Sequence, residues 1–338
     1  MTRPVISDCA GERMSDDERD LFSTLKPFGF ILFQRNCRTP DQVRALTDDM
    51  REVLGRDDVP ILIDQEGGRV ARLKPPHWDV HPPAAAFGGL AAMDMAAAER
   101  AARLNAHLIA DELTAVGINV DCLPLLDLNF PGAHGVIGDR AYGGDAALVA
   151  ALGRATCEGL MAGGVVPVIK HIPGHGRAAV DSHLALPVVD APLEALRQSD
   201  FRPFSDLRDM PVAMTAHVTY SAVDPENPAT TSARVIGDII RRDIGFDGLL
   251  LSDDISMQAL KGSLEERAVA SLKAGCDILL HCNASLDERR RVLEAAPPMT
   301  PADFARLTRL MTPPPAARFD RAAASLELNL IFQHQNVS

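Results

Sequence analysis

Eight short apolar runs, amphipathic helices between them and glycines closing those helices predict a single-domain α/β protein, a (β/α)8 TIM barrel. The runs are residues 4–6, 30–33, 60–63, 118–120, 165–169, 212–215, 249–251 and 276–280. An open doubly wound sheet is the rival, but it ordinarily needs fewer strands, and no Gly-x-Gly-x-x-Gly follows the first run. At 338 residues the length also suits two domains. The pattern instead assigns residues 1–310 to one barrel and 311–338 to a tail, Pro-rich and then helical, that packs on the exterior or frays.

Each element has a local cause. Gly29, Gly117, Gly163-Gly164, Gly248 and Gly275 stand just before five of the runs, where helix C-caps and tight αβ turns are expected. In the helix after the second run, Thr39 suits the N-cap and Pro40 the first turn. Val43, Leu46, Met50, Val53 and Leu54 share one face, and Gly55 ends it. Leu104, Leu108 and Leu113 mark another helix, Leu148 and Leu152 a third. Val235, Ile239 and Ile240 mark a fourth, Val269 and Leu272 a fifth.

Composition narrows the function classes. A chain 46% hydrophobic supports a large core, and a net charge of −12 argues against non-specific binding to nucleic acid or an anionic membrane. The six cysteines form no Cys-x-x-Cys pair, which fits reduced thiols in a cytoplasmic protein. Asp8, Glu12 and Arg13 come too early for a signal peptide, and Asp94 interrupts the Ala-rich stretch 84–98. A monomer is expected.

In this fold the C-terminal strand ends carry the chemistry. Those ends hold Asp8; Asp64-Gln65-Glu66, with Arg69 and Arg72 beyond; Asp127, then Asp139-Arg140; Lys170-His171; His217; Ser252-Asp253-Asp254; and His281-Cys282-Asn283. So many hydrogen-bonding groups suit a hydroxyl-rich ligand such as a sugar. Bland readings stand beside this one. Asp8 and His217 read better as structural, Lys170 as well as an internal ion-pair partner, His171 as well as a satisfied core histidine, and Arg69–Glu66 as a salt bridge holding the third loop. Asp254 follows Asp253 and is expected to point away from the pocket.

The most distinctive stretch runs from Lys170 to His183. Pro173, Gly174 and Gly176 break regular structure, so residues 174–180 read as a loop. Asp181 and His183 follow two residues apart, a spacing in which a carboxylate fixes the tautomer of an imidazole and raises its basicity.

Lys170-His171-Ile172-Pro173-Gly174-His175-Gly176 with Asp181-Ser182-His183 resembles the signature of family 3 glycoside hydrolases, in their β-N-acetylglucosaminidase branch. Asp64-Gln65-Glu66-Gly67-Gly68-Arg69-Val70, Gly138-Asp139-Arg140 and Ser252-Asp253-Asp254-Ile255-Ser256-Met257 match the same branch. Ile172 departs from the family's usual Phe. The resemblance implies a cytoplasmic peptidoglycan-recycling enzyme that removes terminal β-linked N-acetylglucosamine from 1,6-anhydro-N-acetylmuramic acid or its peptide conjugates, with no metal or organic cofactor. By the same resemblance Asp253 is the nucleophile of a retaining mechanism, His183 the acid/base and Asp181 its orienter. Asp64, Arg72, Arg140, Lys170 and His171 hold the sugar.

Three rivals remain at this point. A phosphorylase would use phosphate as acceptor on the same glycosides. A metal-dependent hydrolase barrel would place zinc on His171, His175, Asp181 and His183, but the first strand lacks the His-x-His such barrels usually offer. A barrel that only binds amino sugars would leave the dyad idle.

Overall fold

The computed structural model describes residues 1–130, 135, 137–178 and 186–333. Eight parallel strands close into a barrel: β1 (Arg3–Ser7), β2 (Pro27–Leu32), β3 (Ile61–Ile63), β4 (Val120–Asp121), β5 (Val166–Ile172), β6 (Val212–Thr215), β7 (Leu249–Asp254) and β8 (Ile278–Leu280). Each pairs with the next in sequence, and β8 closes on β1 with Leu279 opposite Val5 and Leu280 opposite Ile6. The expected (β/α)8 barrel is therefore the observed one.

Period-two alternation builds two layers from these strands. Ile6, Ile31, Leu62, Val120, Val168, Met214, Leu251 and Leu280, one from each strand, belong to the interior cluster. Val5, Phe30, Ile63, Ile169, Ala213, Leu250 and Leu279 belong instead to the clusters shared with the surrounding helices. Each fully buried aliphatic or aromatic side chain contributes roughly 1.5–3 kcal/mol relative to exposure. Helix Pro301–Leu310 plugs the N-terminal end of the barrel. Leu307 joins the interior cluster, Phe304 meets Phe28 edge-on at 6.0 Å, and Met299 N–H donates to Thr2 O. The opposite end is left for the polar strand termini.

The helices follow their local signals. Helix Pro40–Leu54 starts at Thr39, whose side chain accepts from Gln42 N–H. It buries Val43, Leu46, Met50 and Leu54, and ends at Gly55 with φ 65°. Asp94, which breaks the Ala-rich stretch, caps helix Met95–Ala115 by accepting from Ala97 N–H.

Three features depart from the sequence reading. Gly29 lies inside β2 rather than before it, and Lys26, at φ 49°, ends the preceding helix. Glycine is needed there because a Cβ would sit 2.3 Å from Pro60 O, so a side chain would push β3 off β2. β5 runs on through Lys170 and His171 to Ile172. The segment with Val235, Ile239 and Ile240 is a π-helix, Val235–Asp243, with Ile244 N–H bonded to Ile239 O.

Beyond residue 311, helix Arg321–Gln333 lies on helix Met95–Ala115. Arg321 pairs with Asp111 and Glu112, both at 2.7 Å, Leu328 is buried, and Phe332 meets Phe87 with centroids 5.5 Å apart.

Candidate active site

A cavity of about 380 Å³ opens at the C-terminal end of the barrel. Asp64, Arg72, Arg140, Lys170, His171 and Asp253, singled out from the sequence, all border it. Asp181 and His183 lie outside the described residues.

The third loop supplies one wall. Gln65 staples it: its side-chain oxygen accepts from Arg72 N–H at 2.8 Å and Leu73 N–H at 3.1 Å, while its amide donates to Leu73 O at 3.0 Å. Asp64, held there, takes Arg72 on Oδ2 at 3.0 Å and Lys170 on Oδ1 at 2.9 Å. Glu66 takes Lys170 at 2.6 Å and a two-pronged contact from Arg140, at 2.8 and 2.7 Å. The expected Arg69–Glu66 bridge is not formed. Arg69 instead pairs with Asp139 at 2.8 Å, because the loop carrying Arg140 brings that guanidinium down onto Glu66.

Three cations thus meet two carboxylates in this cluster. Burial alone would raise Asp64 and Glu66, but Lys170 and the arginines outweigh it, holding Asp64 well below the carboxylate range and Glu66 at about 2. Burial would likewise lower Lys170, yet the two carboxylates hold its ammonium above the usual lysine range. Beneath them Asp121, fully buried, accepts from Gln65 N–H at 3.0 Å, and among the described residues its Oδ2 has no partner. Burial pushes it up to about 8, so it is a neutral acid at pH 7.

Pairing of β5 with β6 shifts between Lys170 and Ile172, which lets consecutive residues Lys170 and His171 both face the cavity. His171 Nδ1–H donates to Asp127 Oδ2 at 2.7 Å, and His175 N–H donates to Asp127 Oδ1 at 2.6 Å. Asp127 is buried, which opposes ionisation, but these contacts with His171 and His175 hold it below the carboxylate range. Burial pushes the His175 imidazole down to about 4. Asp127 therefore fixes one cavity-facing histidine and the first turn of the following loop together. In the sequence it is only a strand-end residue; its 44-residue separation from His171 carries no local signal.

Asp253 is the penultimate residue of β7, its Oδ1 accepting from Asp254 N–H at 2.8 Å and its own N–H reaching Thr215 Oγ1 at 3.3 Å. Asp254 does not leave the pocket as alternation predicts. It also borders the cavity, because the β7–β8 register shifts at this point. Its carboxylate is nonetheless taken up locally by Ser256 N–H at 2.9 Å, Ser256 Oγ at 2.7 Å and Cys282 N–H at 3.3 Å. Asp8 and His217 are structural. Asp8, fully buried, takes Arg289 and Asn283 N–H, each at 2.7 Å, and also Arg35. His217 donates from Nε2 to Asp254 O at 2.9 Å and receives Thr230 Oγ1 on Nδ1 at 2.7 Å. Among the described residues no three His, Cys, Asp or Glu side chains converge as a metal site requires.

Residues 5–302 match the model of the glycosyl hydrolase family 3 N-terminal domain. The chain belongs to glycosyl hydrolase family 3. Within the family it is 40% identical to the β-hexosaminidase of Alkalilimnicola ehrlichii over 314 residues, 91% of this chain and 88% of that one. It is 41% identical to the β-hexosaminidase of Methylococcus capsulatus over 293 residues, 85% of each. Its fold superposes on NagZ from Neisseria gonorrhoeae, solved in complex with N-trifluoroacetyl-D-glucosamine, with a TM-score of 0.89, 33% identity and 98% coverage of both chains. A family 3 chain with such relatives is a glycoside hydrolase, and the cavity at its strand ends is the candidate site.

Proposed function

We propose that this hydrolase is a retaining exo-β-N-acetylglucosaminidase. It removes terminal N-acetylglucosamine from 1,6-anhydro-N-acetylmuramic acid and its peptide conjugates, in cytoplasmic recycling of peptidoglycan. The observation that carries the reading is the shared cavity: Asp253 borders the same space as the Asp64–Lys170–Glu66–Arg140 cluster and His171. Charged donors and acceptors fixed in a buried wall suit sugar hydroxyls and an acetamide, and a carboxylate beside them suits attack at the anomeric carbon.

In the first step an Asp253 oxygen attacks C1 while the C1–O bond breaks. Its electron pair goes to the leaving oxygen, which takes a proton from the His183 imidazolium. In the second step His183 accepts a proton from water as the water oxygen attacks C1 and Asp253 departs. Asp181 orients the imidazole and stabilises its charge. The 2.7 Å bond to Asp127 keeps His171 in one tautomer and ready for a sugar hydroxyl.

Hydrolysis of an aryl N-acetyl-β-glucosaminide followed by proton NMR tests the reading. The β-anomer of N-acetylglucosamine should appear first, without added phosphate. First release of the α-anomer excludes retention, and a requirement for phosphate makes the enzyme a phosphorylase.

A further inference from the structure

Beside the sugar cavity lies a second one of about 340 Å³, between the loops that follow β7 and β8. Asn283 borders both. Along the β7 loop Met257 borders the first, and its neighbours Ser256 and Gln258 border the second. His281 lines this side cavity at 1% exposure, and among the described residues neither of its ring nitrogens has a hydrogen-bond partner. A buried imidazole left this way is costly, so a polar group entering the cavity is the partner it lacks.

The surroundings favour an anion. Arg267 spends its guanidinium on backbone carbonyls, those of Gly262, Ile255 and Met257 at 3.0–3.1 Å and Ser256 at 3.3 Å. Among the described residues no carboxylate pairs with it. Arg291 stands at the rim, partly exposed, paired with Glu265 at 3.0 Å and Asp287 at 3.2 Å. Helices Leu264–Ala274 and Leu286–Ala295 both begin at the cavity, where Ser263 and Ala284 line it, and direct their positive ends there. Three carboxylates oppose an anion: Glu265 and Asp287, both already paired with Arg291, and Glu288. The Glu288 carboxylate is already occupied by Ser285 N–H and Oγ at 2.8 and 2.7 Å.

We propose that this side cavity is a leaving-group subsite for a carboxylate, with His281 and Arg291 as its specificity residues. The proposal rests on the reading above, in which the leaving group is an acidic muramyl unit. That acid is either the lactyl carboxylate or a carboxylate of the attached peptide.

The test compares kcat/KM for four substrates: an aryl N-acetyl-β-glucosaminide, the anhydro-disaccharide acid, its methyl ester and its peptide conjugate. Each is run on the full chain and on Arg291→Ala and His281→Gln. The ratio of acid to ester within one variant cancels any general damage. Wild type should favour the acid, or the peptide conjugate, over the ester by about tenfold, as one charge-assisted contact provides. Both substitutions should bring that ratio toward unity. A gain confined to the peptide conjugate assigns the carboxylate to the peptide. Equal cleavage of acid, ester and conjugate by wild type overturns the subsite, as does a preference that survives both substitutions. Failure to cleave the aryl glycoside sinks the parent reading, and this one with it.

Discussion

Lys170 Nζ lies 2.6 Å from Glu66 Oε1 and 2.9 Å from Asp64 Oδ1, so one ammonium from β5 ties down both carboxylates of the third loop. Lys170→Ala should lower kcat/KM on the aryl substrate by on the order of 10^2 or more, since a charged contact in a dry pocket is lost. Glu66, buried, and Asp64, partly buried, would also lose a shared cation, a change that costs roughly 3–5 kcal/mol for a buried pair when nothing replaces it. Steady-state kinetics and urea unfolding report the two effects separately. Reduced stability with unchanged kcat/KM would make Lys170 structural only.

Asp121 gives a pH signature. Its folded value is about 8 against an ordinary 3.8, so between those values the native state holds a proton that the unfolded chain has released. The unfolded state binds fewer protons there, and this group's contribution to stability falls as pH rises. Asp121→Asn removes the titration. The stability of the variant relative to wild type should therefore grow as pH rises from about 5 to about 8, then level off. Urea unfolding at several pH values measures it, and a difference that stays constant contradicts a buried neutral acid.

Gly176 opens the loop leading to Asp181 and His183. A Cβ there would sit 2.1 Å from Leu128 O, so Gly176→Ala must shift that loop. The expected result is a kcat lower by about 10^2, the scale of a misplacement near 1 Å, with the barrel still folded by circular dichroism. Unchanged kcat would mean that the loop start has no part in positioning the dyad.

Residues whose meaning depends on strand position were legible in the sequence. Once eight runs imply a barrel, Asp64, Lys170, His171 and Asp253 fall at one end, and all four border one cavity. Pairing was less legible. Glu66 has Arg69 three residues away and Arg140 seventy-four away, and the distant one wins. Asp254 was misplaced because alternation assumes an unbroken ladder, and the register shift beside Leu280 breaks it. Gly29 looked like a helix stop, because a glycine needed for close approach to Pro60 O reads the same in sequence as one needed for a turn.

If His183 is the general acid, its loss should matter most where the leaving oxygen needs a proton. His183→Ala should keep much of its glycosylation rate on an activated aryl substrate and lose far more on the natural disaccharide. On the aryl substrate the glycosyl-enzyme should accumulate, KM should fall, and azide should restore turnover as the β-glycosyl azide. Asp181→Asn should follow the same pattern more weakly. Equal losses on both substrates remove His183 from the acid/base role.

The covalent step is the centre of this account, and trapping it is the most direct measurement. A fluorinated N-acetylglucosaminyl inactivator, followed by proteolysis and mass spectrometry, locates the attacking oxygen. The label should appear on Asp253, at a stoichiometry near one, and Asp253→Asn should take up none. Recovery on Asp254, whose carboxylate is bound to Ser256 and Cys282, would contradict the account. So would full activity in Asp253→Asn.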